Sequence, residues 1–419
     1  MQSYLGGTEQ IVFPLGLSCL KSAITGHEAS VIDLNLHKEP FKALREHIKA
    51  VRPDIIGISL RNIDSTNKRN VVFYYEHLAE TVKTIKAHSQ GKIIIGGSGF
   101  SMFAREIMED QRDIDLGVFL EGERTFPLLL ENLSTPEKVP SVFYRKNGEV
   151  VFSGPGGQVD VSYTGIPDRA DMSVDKYKTT RDSIGVETKR GCGLNCIYCI
   201  YGFLNGKKLR LKDPVRVVDE IENLVNVHGV KNFTFVDSVF NVPQKHAEDI
   251  CRELAKRALG VQWSAWFSEK NLTRDFVNLA LDAGCKNIIL SPDGFSDSVL
   301  KNLGKNITKR DILDSFDLLR HMDGFEVSYN FFKNPPGQDF SGFLALMRFY
   351  LTAKAQMGSR VHFEFNSMRI EPHTQLFDIA RREGLVKEGD NLLYPKYYTN
   401  PKTRYIESVF NGLLRLKGM

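Results

Sequence analysis

The sequence lacks the features that mark membrane proteins and nucleic-acid-binding proteins. No apolar run approaches the ~20 residues that a membrane-spanning helix needs, and the first residues lack the pattern of a signal peptide. Basic and acidic residues nearly balance, at 55 against 51, so the chain has no basic surface of the kind that binds nucleic acid. These absences predict a cytoplasmic protein with no membrane span and no nucleic-acid partner.

Cysteine is also scarce, and its distribution argues against a disulfide framework. The 419 residues include six cysteines, of which Cys19, Cys251 and Cys285 lie in apolar or helical contexts typical of core thiols. The other three stand close together, which favours a reducing compartment. With 42% hydrophobic and 25% charged residues, the composition is that of an ordinary soluble protein of two or three domains.

The clustered cysteines, Cys192, Cys196 and Cys199, have the spacing C-x3-C-x2-C and follow a strand-like run at residues 184–188. Three thiolates on one tight loop can each bind one iron of a 4Fe–4S cluster, whereas a closed set needs a fourth. An incomplete set leaves one iron open to a substrate, as catalytic zinc sites leave one position open. Zinc binding and structural thiols are the alternatives, although no fourth Cys or His lies at ligand spacing and His228 is the next histidine.

Residues 1 to about 135 alternate between amphipathic helices and short apolar strands. The strand candidates are residues 29–33, 54–60, 92–95 and 116–120. Continuous apolar strands between helices predict a parallel, doubly wound α/β sheet, which binds ligands at the carboxyl ends of its strands. The last three candidates end in Arg61-Asn62-Ile63-Asp64, Gly96-Gly97-Ser98 and Glu121-Gly122-Glu123.

One strand is missing from this pattern. A domain of this kind normally opens with a central strand, but only residues 1–10 precede the first predicted helix. We expect either that residues 10–13 form a short substitute strand or that the chain begins later than its relatives do.

Residues 136–180 predict a connector. Apolar runs at residues 142–144 and 150–152 flank Asn147-Gly148, which is a strong β-hairpin signal. The glycines and prolines of residues 154–157 and 166–168 are typical of an extended linker.

From residue 184 onward, strands and helices alternate a second time. After the strand that precedes the cysteine loop, the strand candidates are residues 232–236, 262–267, 286–290, 326–332 and 362–368. Repeated βα units predict a full or partial barrel whose chemistry lies at the carboxyl ends of the strands. Residues 394–419 are rich in aromatic and basic side chains and predict a helix packed on the barrel.

Taken together, these motifs resemble those of the cobalamin-dependent radical S-adenosylmethionine (radical SAM) enzymes, and the resemblance covers nearly the whole chain. The cysteine spacing, with Tyr198 before the last cysteine, is similar to that superfamily's cluster motif. Residues 233–241 resemble the strand that ends near the methionine part of SAM. Residues 283–294 resemble a segment that usually carries Glu-Ser-Gly, with Asp293 in place of the glutamate. Residues 369–374 resemble a later strand end of the same site.

The resemblance implies an α/β fold in successive parts. An N-terminal Rossmann-like cobalamin-binding sheet occupies residues 1–135, and a connector with a β-hairpin occupies residues 136–180. A partial (β/α)6 radical SAM barrel follows at residues 181–375, and a short helical C-terminal tail at residues 376–419.

The resemblance also implies three cofactors and their sites. The three cysteines would bind a [4Fe–4S] cluster, and SAM would lie near Tyr198, Asp237, Ser291, Asp293, Arg369 and Glu371. Cobalamin would lie near Ser59, Asn62, Gly96, Gly97, Ser98, Glu121, Gly122 and Glu123. Each acidic residue near SAM could equally be a structural hydrogen-bond acceptor. Trp266 and Phe267 are candidates to pack on adenine or substrate, with core packing favoured for Phe267.

Many cobalamin domains place a histidine below cobalt in the motif Asp-x-His-x-x-Gly, which the N-terminal half of this chain does not contain. The resemblance therefore implies cobalamin without a lower His ligand from the protein. Arg61 is our candidate for the residue beneath cobalt, where a cation would discourage water from binding and favour the low-valent metal. A helix-capping or surface salt-bridge role for Arg61 is an equal alternative.

The activity implied is that of an enzyme that transfers a methyl group from SAM, via methylcobalamin, to an unactivated carbon of a natural-product or peptide substrate. One electron would cleave SAM to a 5′-deoxyadenosyl radical, which removes hydrogen from the substrate. The implied partners are a small-molecule or peptide substrate and a low-potential electron donor such as flavodoxin or ferredoxin.

Other activities remain as alternatives. The main one is a cobalamin-dependent radical SAM enzyme that forms or contracts a ring, or oxidises, without methyl transfer. A methylthiotransferase is disfavoured because that relative needs three further cysteines in its N-terminal domain, where Cys19 is alone. A non-enzymatic cobalamin sensor would leave the cysteine loop unexplained, and a ferredoxin would need four cysteines.

Overall fold

The chain folds into two compact units. The computed structural model describes residues 1–7, 11–178 and 180–416. The first unit consists of Met1–Ser65, Arg69–Ile184 and Leu204–Gly206, and the second unit consists of Thr66–Lys68, Gly185–Phe203 and Lys207–Met419.

The strands and helices alternate along most of the chain. The strands are β1 Ile55–Ser59, β2 Lys92–Gly96, β3 Leu116–Val118, β4 Val142–Lys146, β5 Glu149–Phe152, β6 Gly185–Val186, β7 Lys189–Arg190, β8 Arg210–Leu211, β9 Asn232–Phe235, β10 Gln262–Phe267, β11 Cys285–Asp293, β12 Glu326–Phe332, β13 Val361–Asn366, β14 Met368–Arg369 and β15 Tyr397–Tyr398. The helices are α1 Leu15–Ala23, α2 Pro40–Val51, α3 Glu76–His88, α4 Ser98–Met102, α5 Ala104–Asp110, α6 Gly122–Glu131, α7 Tyr201–Leu204, α8 Pro214–His228, α9 Gln244–Arg257, α10 Arg274–Asp282, α11 Asp297–Asn302, α12 Lys309–Arg320, α13 Phe340–Met357, α14 Gln375–Arg382 and α15 Arg404–Leu416.

The first unit contains a five-stranded sheet in the order β1-β2-β3-β4-β5. Strands β1, β2 and β3 are parallel, with Ile56 opposite Ile93 and Ile94 opposite Leu116. The consecutive residues Ile93, Ile94 and Ile95 of β2 are all buried, as expected for a strand covered on both faces. The predicted Rossmann-like α/β sheet is confirmed.

The position beside β1 is taken by the first residues of the chain. Gln2 forms parallel bridges to both Asp33 and Ser59, and the amide of Ser59 donates to the carbonyl of Met1 over 2.9 Å. The substitute strand expected at residues 10–13 is therefore wrong for the part that is described, because residues 11–13 form no strand, while Gln10 lies outside the described residues.

The predicted strand at residues 29–33 is reduced to the single bridge at Asp33. The reason is local, because the Asp33 carboxylate accepts from the amide of Asn35 over 2.9 Å and caps a short 3₁₀ turn at Leu34–Leu36. A side chain that bonds to the backbone two residues later favours a turn over an extended strand.

The connector residues pack within the first unit. Asn147 and Gly148 both have positive φ, at 53° and 85°, and join β4 to β5 in the expected hairpin. Strand β4 pairs antiparallel with β3, so the hairpin extends the sheet. Further along, the Tyr177 hydroxyl donates to a carboxylate oxygen of Asp33 over 2.7 Å, and both residues are buried.

The second unit contains a six-stranded sheet in the order β13-β12-β11-β10-β9-β6, in which all described pairings are parallel. Strand order follows chain order with a helix between most strands, which is the arrangement of a partial (β/α)6 barrel. This prediction is confirmed. The odd residues Tyr329 and Phe331 of β12 are buried against Phe349 of α13, so the even residues point to the opposite face of the sheet.

The predicted helical tail forms α14 and α15. Phe410 of α15 is buried against Phe343 of α13 and Phe365 of β13, with ring centroids 5.0 and 5.1 Å apart. The tail therefore packs on the second unit, as expected, although residues 417–419 lie outside the described range. No helix in the described part of the chain has the length and apolar character that crossing a membrane requires.

We expect Tyr177→Phe to destabilise the first unit by about 1–3 kcal/mol, because it leaves a buried oxygen of Asp33 without its hydroxyl donor. Burial, with the Asp33 carboxylate beside it, raises the pKa of Tyr177, which favours the protonated hydroxyl that donates to Asp33. Urea unfolding followed by circular dichroism measures the change. Tyr405→Phe, at an exposed tyrosine, is the control. Equal midpoints for the two variants would contradict this account of the connector.

Candidate functional site

The three clustered cysteines lie on one loop of the second unit, between β7 and α7. The loop follows β6, the edge strand of the parallel sheet, and therefore lies at the carboxyl end of that strand. Cys192, Cys196 and Cys199 are all half-buried and free of disulfide bonds. The structure thus brings the three predicted iron ligands together at the sheet edge where barrel enzymes carry their chemistry.

The second half of the loop is held by backbone hydrogen bonds from two other segments. The amide of Ile197 donates to the carbonyl of Leu303 over 3.0 Å, and the amide of Leu376 donates to the carbonyl of Ile197 over 2.8 Å. Gly304, with φ of 68°, allows the first of these segments to approach so closely, because a Cβ at this position would lie 2.3 Å from the carbonyl oxygen of Asn195.

The first half of the loop is held by Asp237, which follows β9. Its carboxylate accepts from the amide of Thr188 over 2.8 Å and from the ammonium group of Lys189 over 2.9 Å. Both side chains of the Lys189–Asp237 pair are almost completely buried. Asp237 was expected either near SAM or as a structural hydrogen-bond acceptor, and in the structure its carboxylate accepts from protein donors.

The donor set suits an iron–sulfur cluster with one open iron. Among the described residues, no three His, Cys, Asp or Glu side chains converge as a single metal ion requires. A 4Fe–4S cube does not need such convergence, because each thiolate binds a different iron at a different corner. Three free thiols on one loop, held at both of its halves, therefore fit a 4Fe–4S cluster.

Burial affects the thiols of the loop in the metal-free protein. It raises the pKa of Cys199 to about 11, although the backbone amide of Tyr201 opposes the shift. Burial also raises the pKa of Cys196, against the opposing charge of Lys305. Iron binding must therefore displace protons from these two thiols, which makes binding depend on pH.

Tyr198 belongs to a partly buried polar cluster beside the cysteines. Its hydroxyl donates to the carboxylate of Asp293, and the ammonium group of Lys305 pairs with that same carboxylate over 2.5 Å. Lys305 also donates to the carbonyl of Ser291 over 2.6 Å. Burial favours the neutral amine, but Asp293, Cys196 and Glu269 outweigh it and raise the pKa of Lys305. The Lys305 ammonium therefore stays protonated next to the cysteine loop, and the Asp293 carboxylate balances its charge.

The other expected SAM residues of the second unit occupy two places. Arg369 is buried on β14 and pairs with Glu371 over 2.6 Å. Trp266, on the opposite face of β10 from the core, has 37% of its surface exposed and is free to contact a ligand, whereas Phe267 is 3% exposed and packs against Phe240. Phe267 thus packs in the core, which was the role favoured for it.

In the first unit, the carboxyl ends of β1 and β2 are joined closely. The amide of Gly99 donates to the carbonyl of Leu60 over 2.9 Å, and the hydroxyl of Ser98 donates to the carbonyl of Arg61 over 2.7 Å. Gly97 has φ of 100°, and a Cβ there would lie 2.6 Å from the Leu60 carbonyl, so only glycine allows this approach. Ser59, Asn62 and Gly96 lie at the same two strand ends and are all half-buried.

The Arg61 side chain is exposed, and none of its hydrogen bonds or ion pairs in the described part of the chain involves the guanidinium group. The surface salt bridge considered as its alternative role is thus not formed. The five histidines of this unit stand elsewhere: His27 and His37 lie between α1 and α2, His47 lies on α2, and His77 and His88 lie on α3. The strand ends therefore carry a free cation and no histidine.

The third expected strand end, Glu121-Gly122-Glu123, begins α6 after β3. The Glu121 carboxylate accepts from the amide of Val159 over 2.6 Å, which attaches the connector to this strand end. All three residues are half-buried. The structure thus places every expected cobalamin residue at the carboxyl edge of the parallel strands.

Two functional candidates were not identified from the sequence. Lys305 lies in a turn after α11, and Lys189 lies before the first cysteine, and neither belongs to a recognisable pattern. Lys189 is buried and Lys305 half-buried next to the cysteine loop, because separate strands place Asp237 and Asp293 opposite them. A buried lysine in an apolar context is a weak signal without its partner.

Family profiles and relatives agree with this geometry. The B12-binding domain family matches residues 3–130, and the radical SAM superfamily matches residues 186–350. An uncharacterized methyltransferase of Pyrococcus horikoshii is 27% identical over 308 residues, covering 72% of this chain and 65% of the relative. The anaerobic magnesium-protoporphyrin IX monomethyl ester cyclase of Cereibacter sphaeroides is 25% identical over 298 residues, covering 67% of this chain and 47% of the cyclase. This chain thus spans less than two thirds of the length of either relative.

The fold is similar to that of a solved enzyme. The radical S-adenosylmethionine methyltransferase TsrM from Kitasatospora setae, solved with tryptophan substrate and a SAM analogue, superposes with a TM-score of 0.82. The match covers 96% of this chain and 80% of TsrM at 20% sequence identity. At 20% sequence identity, this match shows that the two folds are similar and nothing further.

We expect the thiol of Cys199 in the metal-free protein to react unusually slowly with iodoacetamide near neutral pH. The thiolate is the reactive form, and a raised pKa lowers its fraction at any given pH. Its rate should still climb between about pH 9 and about pH 10, where an ordinary thiol of pKa about 8.5 levels off. Peptide mapping by mass spectrometry measures the rates, with glutathione as the reference. A plateau at the glutathione value would contradict the burial of this thiol.

Proposed function

Because the chain joins a B12-binding domain to a radical SAM domain, and so has the domain architecture of the cobalamin-dependent radical SAM enzymes, we propose that it is a methyltransferase of that group. Its reaction moves a methyl group from SAM to an unactivated carbon of a natural-product or peptide substrate. The observation that carries the proposal is the loop with three free cysteines at the carboxyl edge of a parallel half-barrel.

In this proposal, Cys192, Cys196 and Cys199 bind a [4Fe–4S] cluster, and SAM binds at its open iron. When bound, the cluster supplies the electron that cleaves SAM, and cobalamin carries the methyl group. Ser291, Asp293 and Glu371 are the proposed polar contacts of SAM, while Trp266 offers an exposed ring for stacking. Asp237 is assigned to the loop and not to SAM, because protein donors occupy both of its oxygens.

Arg61 is the proposed residue beneath cobalt. Its guanidinium is exposed at the carboxyl end of β1, and the neighbouring Ser98 holds its backbone. A guanidinium keeps its proton and offers no lone pair to a metal, so Arg61 would not itself become a ligand of cobalt. The role proposed for Arg61 is to keep this face free of a histidine or a bound water.

The proposed partners follow from the same chemistry. A cluster that cleaves SAM must receive electrons from a low-potential donor, for which flavodoxin or ferredoxin is suitable. The described cysteines form no disulfide, and free thiols persist under reducing conditions, so we assign the protein to the cytoplasm.

A second candidate is a cobalamin-dependent radical SAM enzyme that forms or contracts a ring, or oxidises, without methyl transfer. The observation that favours it is the similarity to the ester cyclase, which nearly equals the similarity to the methyltransferase in sequence identity. The two candidates share the cysteine loop and differ in the products derived from SAM.

Anaerobic reconstitution with iron, sulfide, cobalamin and reductant tests the proposal. With wild-type protein and a panel of candidate substrates, we expect both S-adenosylhomocysteine and 5′-deoxyadenosine. Deoxyadenosine alone would support the ring-forming candidate, and S-adenosylhomocysteine alone would support a non-radical methyl transfer.

Cys196→Ala is expected to lose bound iron and to abolish SAM cleavage, because the cluster then lacks a ligand. Cys19→Ser, on α1 of the first unit, is the matched control and should retain both. Iron analysis and chromatography of SAM products measure the outcome. Iron content and SAM cleavage at wild-type levels in Cys196→Ala would refute the proposed function.

Arg61→Ala is expected to change the axial ligation of bound cobalamin. With the guanidinium removed, water can reach the lower face, and the cob(II)alamin EPR and visible spectra should become those of the water-ligated form. Arg112→Ala, at an exposed arginine before β3, is the control and should keep the wild-type spectra. Identical spectra for Arg61→Ala and wild type would remove Arg61 from the role beneath cobalt.

A further inference from the structure

We propose that the buried Lys189–Asp237 ion pair is a positioning device for the cysteine loop, which fixes where Cys192 stands relative to Cys196 and Cys199. The role as a cluster-positioning device rests on the proposed function. The attachment of the loop by this pair does not, because the contacts that define it are present without any metal.

The Asp237 carboxylate is the convergence point of the two residues that precede the loop. One oxygen accepts from the backbone amides of Thr188 and Lys189, over 2.8 and 3.3 Å. The other accepts from the Thr188 hydroxyl and from the Lys189 ammonium. Only a carboxylate can accept on both oxygens, since an amide has one acceptor oxygen and would present N–H groups to the remaining donors.

Lys189 extends this attachment to the turn that follows β9. Its ammonium also donates to the carbonyl of Phe240 over 2.9 Å, and it lies 5.6 Å from the centre of the Phe240 ring. The Lys189 side chain is 2% exposed and the Asp237 side chain is 0% exposed. A buried charge is costly to separate from its partner, so the two residues hold Thr188 and Lys189 to one position on β9.

The carbonyl of Thr188 is held as well. The amide of Lys212 donates to it over 2.9 Å, and the ring of His246 lies 3.3 Å from it. The backbone is therefore restrained on both sides of Thr188, only four residues before Cys192.

The two halves of the loop have separate supports. The half with Cys196 and Cys199 is attached to Leu303 and Leu376 through Ile197. The half with Cys192 follows β7, which pairs with β8 and is attached to the end of β9 through Asp237. The other lysine–carboxylate pair beside the loop, Lys305–Asp293, contacts the half with Cys196 and Cys199 through Tyr198. A loss of the Asp237 contacts would thus move Cys192 relative to the other two thiols and would leave those two in place.

Because the two halves of the loop have separate supports, a role of Asp237 in positioning Cys192 can be distinguished from a general contribution to stability. A general loss of stability would affect all three cysteines equally. A loss of positioning would change the geometry of one ligand of the cluster, which alters the electronic environment of one iron and weakens its retention.

The test compares Asp237→Asn with Leu319→Ala after anaerobic reconstitution. Asp237→Asn keeps the size of the side chain but removes half of its acceptors. Leu319 is fully buried on α12 and makes no described contact with the loop, so its truncation lowers stability only. We expect iron release to a chelator to be faster by roughly 10-fold or more in Asp237→Asn, in line with other residues that orient metal ligands. We also expect shifted EPR g values of the reduced cluster.

At matched melting temperatures, equal iron-release rates and EPR spectra in the two variants would overturn the cluster-positioning role. Faster iron release with shifted g values in Asp237→Asn alone would support it. A second variant, Asp237→Ala, removes all acceptors and should exceed the effect of Asp237→Asn.

Hydrogen–deuterium exchange of the metal-free protein separates this inference from the proposed function. In Asp237→Asn, amides of residues 187–193 should exchange faster than in wild type, while those of residues 195–204 should be unchanged. If the wild-type protein binds no cluster, the proposed function fails, and this exchange pattern alone then decides whether the pair attaches the loop. Unchanged exchange at residues 187–193 would overturn the inference.

Discussion

The carboxylate of Asp237 is the contact on which the arrangement of the second unit's site depends. It gathers the backbone and side chains of Thr188 and Lys189 at the end of β9, immediately before the cysteine loop. The loop has little regular structure of its own, and so it takes its position from the strands beside it. A parallel half-barrel supplies such positions, because the ends of its strands lie along one edge.

A second carboxylate–lysine pair contacts the loop through Tyr198. Asp293, at the end of β11, binds the Tyr198 hydroxyl and the Lys305 ammonium. In both places an acidic residue at a strand end pairs with a lysine that is otherwise buried. Each pair is neutral overall, so the protein places two ammonium groups near the cysteines without leaving an isolated buried charge. The charge of Lys305 opposes the burial that raises the pKa of Cys196 and Cys199.

In the first unit, the proposed function requires strand ends that leave room for a ligand. Gly97 and Ser98 hold β1 and β2 together through backbone atoms, and this leaves the Arg61 guanidinium exposed. Lys189 differs from Arg61, because its ammonium group is paired with the Asp237 carboxylate whereas the Arg61 guanidinium is exposed. The paired Lys189 is suited to holding a loop, and the exposed Arg61 is suited to contacting a bound group.

The sequence by itself determined the two parallel sheets, the barrel strands and the three cysteines, because hydrophobic period, turn residues and cysteine spacing are local properties. It also placed Gly96–Ser98 and Arg61 at strand ends. It did not predict that Met1–Ser3 would take the place beside β1, since bridges to Asp33 and Ser59 join residues far apart in the chain. Nor did it assign Asp237 to Lys189 or Asp293 to Lys305. Only the tertiary structure decided these pairings, because whether a carboxylate faces a ligand or a buried lysine depends on which strands are neighbours.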